Sequence, residues 1–157
     1  MERIPITIKG LKKIKDEHQQ LIKVDRPKII NDISTARAHG DLKENAEYHA
    51  AKEKQGWIEG RIQRINHILA HADVIDPSTI QSNRVQFGAT VQYENVETEE
   101  VFKWKIVGED ETDTKNCIIS YKSPIARALI GKEEGDEAII KTPKGAIEVE
   151  ILEVKYL

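Results

Sequence analysis

Arg37-Ala38-His39-Gly40-Asp41-Leu42-Lys43-Glu44-Asn45-Ala46-Glu47-Tyr48-His49 is a glycine-centred break between two long helical patterns. It reads as the tip of a helical hairpin, with two carboxylates three residues apart. Asp41 and Glu44 there are two hard oxygen donors at the end of a long rigid arm, suited to a metal ion held jointly with a partner. The same Asp-x-x-Glu spacing also fits a capping box, in which Asp41 accepts from the backbone near Glu44 and Glu44 reaches back to the helix start. Both roles are compatible if the helix begins slightly later, at Asn45.

Working outward, apolar residues on the N-terminal side fall at Leu11, Ile14, Leu21, Ile29, Ile33 and Ala36, mostly in steps of three and four. The phase slips near Pro27. Because the pattern resumes with the same period, a bend or stutter is expected there and not a helix end. On the C-terminal side the alternation continues at Ile58, Ile62, Ile65, Leu69 and Ala72. Two arms of about 30 residues joined by a few residues run antiparallel, each about 45 Å long at 1.5 Å per residue. Near the tip Ala36, Ala38, Ala46, Ala50 and Ala51 replace larger aliphatics, which predicts a slender end. Alanine's helix propensity is the other account of that composition.

Past Asp76-Pro77 the pattern turns strand-like. Val85–Phe87, Ala89–Tyr93, Val101–Val107, Cys117–Tyr121, Ala138–Ile140 and Ile147–Ile151 are β-branched or aromatic and often alternating, separated by Gly, Asn and Asp. Short connections favour antiparallel pairing. One short helix interrupts them, with Ser123 as cap, Pro124 in the first turn and Gly131 at its left-handed end. Thr142-Pro143-Lys144-Gly145 is a hairpin turn. The expected organisation is an α+β chain: a two-helix coiled-coil hairpin over residues 1–76, then an antiparallel β domain over residues 77–157.

Composition narrows the class. The chain has 157 residues, 39% hydrophobic and 32% charged, with a net charge of -3. Residues 1–76 carry 14 Lys+Arg against 12 Asp+Glu, or +2, and residues 77–157 carry 10 against 15, or -5. Neither part has the concentrated basic face of an autonomous duplex-DNA binder, so a protein partner is expected. Cys117 is the single cysteine, and no stretch approaches membrane-spanning length, so a reducing cytoplasm is the expected compartment.

Ala36–Glu53, taken with Ser123-Pro124-Ile125-Ala126-Arg127-Ala128-Leu129-Ile130-Gly131-Lys132, resembles the bacterial Gre transcript cleavage factors, and their GreA branch more than GreB. The resemblance covers essentially the whole chain. It implies a coiled-coil hairpin plus an FKBP-like C-terminal domain acting on bacterial RNA polymerase as an accessory factor, not as an enzyme in its own right. The hairpin would enter the secondary channel, where Asp41 and Glu44 would share a Mg²⁺ with the polymerase during hydrolysis of backtracked RNA. Lys52 matches a basic position assigned to the extruded RNA 3′ segment, although a solvated helix lysine is the plainer reading of the residue itself. A channel-plugging inhibitor without cleavage activity is the alternative on the same scaffold.

Other features carry less chemistry. His67 and His71 are four apart, but no third zinc ligand accompanies them. Trp57 lies beside the seam and reads as packing. Glu109–Asp113 lacks the Gly and terminal Glu of a calcium loop. A prolyl isomerase would need an aromatic-lined pocket, whereas Phe87, Tyr93, Phe102, Trp104 and Tyr121 read as core and strand-pairing residues.

Overall fold

The computed structural model describes residues 2–40 and 45–157. The chain forms two compact units, one built on residues 12–72 and the other on residues 3–11 together with 73–157.

The first unit contains most of α1 (Ile8–Gln20), a π-helical turn (Leu21–Asp25), α2 (Arg26–Arg37) and α3 (Ala46–His71). Buried positions along the first arm are Ile14, Leu21, Ile29 and Ala36, spaced seven, eight and seven. The eight-residue step contains the π turn, where the N–H of Arg26 reaches the carbonyl of Leu21, five residues back. One extra residue in the turn accounts for the phase slip, and Pro27 follows at once in the first turn of α2, where a missing donor costs little.

On α3, Ile58, Ile62 and Ile65 are buried as the spacing predicts. Beyond them Ile68 is buried and Leu69 only half-buried, while Ala72 has left the helix for β2 (Ala72–Ile75). The strict alternation therefore ends one turn early, because α3 stops at His71 and the chain changes to extended backbone.

Side chains hold the arms in register. Arg26 Nε and Nη2 donate to Glu59 Oε1 and Oε2, both at 2.8 Å. Arg61 makes the same two-point contact to Glu17 at 2.6 and 2.8 Å, and His18 Nε2 lies 2.9 Å from Asn66 Oδ1. The hydrogen bonds from Arg26 hold the Glu59 carboxyl below its ordinary range.

The expected slender seam of alanines is not what forms near the tip. Ala36 is buried and Ala51 half-buried, but Ala38, Ala46 and Ala50 are exposed. Alanine methyls are too short to fill the space between two helices, and a groove of about 420 Å³ lined by Ile29, Asp32, Ala36, Ala50, Ala51 and Lys54 lies between α2 and α3.

In the second unit β1 (Ile4–Thr7) pairs with β2, and a five-stranded sheet has the order β5-β4-β3-β7-β6. Its strands are β3 (Thr90–Asn95), β4 (Val101–Val107), β5 (Ile118–Ser120), β6 (Glu137–Thr142) and β7 (Gly145–Lys155). Pairing is antiparallel except between β4 and β5. The sheet is thus mixed where an antiparallel one was expected. Residues 108–117 fold into two 3₁₀ turns instead of a hairpin, giving the chain enough length to return in the same direction.

Val85–Phe87 forms no strand. Val85 instead exchanges backbone hydrogen bonds with the segment after α4 (Pro124–Leu129), donating to Lys132 at 2.7 Å and accepting from Gly131 at 2.9 Å. The Ser123 hydroxyl accepts from the Ala126 N–H at 3.2 Å, the cap that the sequence predicts. Val85, Val91, Ile106, Leu129, Val149 and Ile151 form the fully buried centre of this unit.

Glu111 ties the N-terminal strand into the second unit. Its carboxylate accepts from the Thr7 N–H at 3.1 Å, from the Thr7 hydroxyl, and from the Gly108 N–H at 2.8 Å. The Thr7 hydroxyl in turn accepts from Gly10 N–H at 3.1 Å, capping α1. A Cβ on Gly10 would lie 2.0 Å from Glu111 Oε1, which explains a glycine inside a helix.

Two outcomes follow from these contacts. Gly10→Ala, which in an open helix stabilises by about 0.5–1 kcal/mol, should here destabilise, because the carboxylate must leave its three donors. Glu111→Ala should cost roughly 2–4 kcal/mol, since stranding a buried donor costs about 1–3 kcal/mol. Urea unfolding of the full chain measures both, and a stabilising Gly10→Ala would contradict the packing described. For Glu59, whose folded pKa is lowered, the stabilisation exists above its unfolded pKa and disappears as pH falls through the folded one. Glu59→Gln should therefore melt below wild type at neutral pH, with the gap closing under acid; a gap of constant size down to about pH 3 would exclude the ion pair as its cause.

Candidate functional site at the hairpin tip

The first arm ends in an ordinary helical terminus. Ala38 N–H donates to the Thr35 carbonyl at 3.2 Å and His39 N–H to the Ala36 carbonyl at 3.1 Å. Gly40 then takes φ +135°, a conformation that side-chain-bearing residues rarely adopt. Asp41 and Glu44, the two expected metal-binding carboxylates, lie outside the described residues.

The second arm starts at Ala46 with Asn45 as its N-cap, at φ -86° and ψ 95°. Asn45 Oδ1 accepts from Tyr48 N–H at 3.0 Å, and the Asn45 carbonyl takes the first helical bond, from His49 N–H, at 3.1 Å. Glu47 adds a negative charge to the first turn, where the helix dipole favours it. The cap position of α3 is therefore filled by Asn45, the later start that lets capping and metal binding fall to different residues. Asn45 does more than cap, since its Nδ2 donates across the turn to the Ala36 carbonyl. The sequence signals a cap there, because Asn is a strong N-cap residue, but nothing in it signals the second bond.

Lys52 is exposed on α3, and its Nζ donates to Gln55 Oε1 at 3.1 Å. Seven residues after Asn45, it stands about two turns and about 10 Å along the axis, on nearly the same side of the helix. Trp57 is 64% exposed, against the reading of it as packing. It precedes the buried Ile58 by one residue, and the 100° turn between them carries the indole off the seam.

The remaining candidates resolve as structure. The rings of His67 and His71 lie 4.4 Å apart, and His71 Nδ1 sits 2.9 Å from the His67 carbonyl oxygen. Among the described residues no group of three or more His, Cys, Asp and Glu is placed to hold a metal ion. Glu111 of the acidic run is engaged with Thr7 and Gly108. The aromatic residues of the sheet pack on one another: Tyr93 stacks on Phe102 at 5.5 Å, and Trp104 Nε1 donates to the Tyr93 hydroxyl at 3.1 Å. Burial pushes the Tyr93 phenol up, as expected for a core residue.

Comparison with known proteins agrees with this architecture along its length. Residues 4–74 match the family model described as transcription elongation factor, N-terminal, and residues 80–156 match transcription elongation factor, GreA/GreB, C-term. A protein of Halorhodospira halophila named transcription elongation factor GreA is 55% identical over 157 residues, covering 99% of each chain. One of the same name from Hyphomonas neptunium is 57% identical over 156 residues, again covering 99% of each. A solved structure of GreA/GreB from Nitrosomonas europaea is 24% identical, covers 98% of this chain and 100% of its own, and superimposes with a TM-score of 0.43. The assignment rests on the family models and the full-length relatives: this chain belongs to the GreA/GreB family of transcription elongation factors.

Proposed function

We propose that this chain is an accessory factor of bacterial RNA polymerase that stimulates cleavage of backtracked nascent RNA and so rescues arrested complexes. The hairpin enters the secondary channel and presents Asp41 and Glu44 to the polymerase active centre. The observation that carries the reading is the cap of α3. Because Asn45 satisfies the start of that helix, the acidic pair beside it is not required for helix initiation. Relatives named GreA at 55–57% identity over nearly the whole chain favour this reading over a channel-blocking inhibitor.

The donor set suits Mg²⁺. Two carboxylates offer hard anionic oxygens but too few of them for a complete octahedral site, so the ion is held jointly with the polymerase. Phosphodiester hydrolysis can use two metals, one to orient the attacking water and the other to stabilise the leaving oxygen, and the added carboxylates would recruit a weakly held second Mg²⁺. Asp41 and Glu44 contribute ligand oxygens and accept hydrogen bonds from that water. Lys52, exposed about two turns along α3, contacts a phosphate of the extruded RNA 3′ segment. The C-terminal domain anchors to polymerase protein, because the net charge of -5 over residues 77–157 repels RNA phosphates. Among the described residues no helix is long and apolar enough to cross a membrane.

Removing an anionic ligand should cost several kcal/mol of barrier. Asp41→Asn and Glu44→Gln should each lower the cleavage rate roughly a hundredfold or more at saturating factor, while competing normally with wild type for polymerase. A wild-type rate in Asp41→Asn under limiting Mg²⁺ removes Asp41 from the mechanism. Calorimetry of the free protein should show no tight Mg²⁺ site, and a submicromolar one would mean that the chain carries a metal centre of its own.

A further inference from the structure

We propose that Asn45 is a positioning residue whose carboxamide clasps the last turn of α2 to the first turn of α3 and fixes both ends of the segment carrying Asp41 and Glu44. The inference rests on the role given to those acids above.

Capping α3 needs only an acceptor, which Asp, Ser and Asn supply about equally well. Asn45 uses its acceptor for Tyr48 N–H at 3.0 Å, and its amide nitrogen donates in the other direction, to the carbonyl of Ala36, nine residues back. That carbonyl lies in the last turn of α2 and also accepts from His39 N–H at 3.1 Å. A single planar group therefore joins the two arms where the chain leaves one and enters the other. An ionised carboxylate at this position has no proton to donate to Ala36, and a Ser hydroxyl, on a side chain one atom shorter than the Asn amide, falls short of that carbonyl while it caps α3. Asp would set a negative charge against the carbonyl oxygen.

The consequence is geometric. The segment between Ala36 and Asn45 includes Gly40, at φ +135°, a backbone conformation open mainly to glycine. Pinning the segment at both ends restricts where its side chains reach. Misplacing a catalytic group by about 1 Å can cost a hundredfold in rate, so a hydrogen bond that adds little to stability can weigh heavily on catalysis.

Asn45→Ser and Asn45→Asp, made in the full chain, separate clasping from capping. Both should keep the amide-exchange protection of Tyr48, because the cap survives, and Asn45→Ser should keep the melting temperature. Both should speed exchange at His39, and both should lower cleavage at saturating factor by about tenfold or more with the half-saturating concentration unchanged. Wild-type saturating rates in both variants would leave Asn45 as a cap only. If the wild-type protein shortens no RNA, the reading of the tip acids fails, and His39 exchange still decides the clasp: unchanged exchange in Asn45→Ser overturns it.

Discussion

Presentation of the tip depends on one buried aliphatic seam. Burying a Leu or Ile side chain contributes about 1.5–3 kcal/mol, and Ile14, Leu21 and Ile29 on one arm and Ile58, Ile62 and Ile65 on the other are all nearly inaccessible. The Arg26–Glu59 and Arg61–Glu17 pairs lie at the surface, where such pairs add little net stability but select register through their two-point geometry. A slip of one residue would rotate an arm by 100° and turn its isoleucines toward water. The π turn at Leu21–Asp25 belongs to the same constraint, since its extra residue restores the phase that carries Ile29 and Ala36 to the buried side.

In the second unit a single carboxylate has a comparable organising role. Glu111 gathers Thr7 and Gly108, and Thr7 caps the helix that leads into the first arm. Residues 3–11 thereby pack with the C-terminal sheet although they lie at the other end of the sequence. Lys105 borders this cluster; burial and the nearby Lys9 charge depress its ammonium pKa, while Glu111 partly offsets them.

What was legible in the sequence had a period or a turn chemistry behind it. The arms, the slip at Pro27, the capped α4 and strands β3, β4, β6 and β7 all announce themselves in the spacing of apolar residues or in Ser, Pro and Gly at fixed positions. Ile4–Thr7 and Ala72–Ile75 did not, because a four-residue strand is too short to establish alternation and each adjoins a helix. The parallel β4–β5 pair depends on the path of residues 108–117, which pairwise patterns do not encode. Trp57 misled because a large apolar residue next to a seam invites burial, while one residue of helical rotation exposes it. At the tip, the helix start at Asn45 was readable as chemistry, and its bond to Ala36 needed three dimensions.

The most direct measurement on the central claim is RNA sizing after this protein is added to a backtracked bacterial elongation complex with Mg²⁺. The proposed role of the tip acids, completing the polymerase's own hydrolytic site, predicts transcripts shortened at the 3′ end and then extended again once nucleotides are supplied. Transcripts of unchanged length, with elongation slowed, would contradict it and identify a protein that occupies the channel without doing chemistry there.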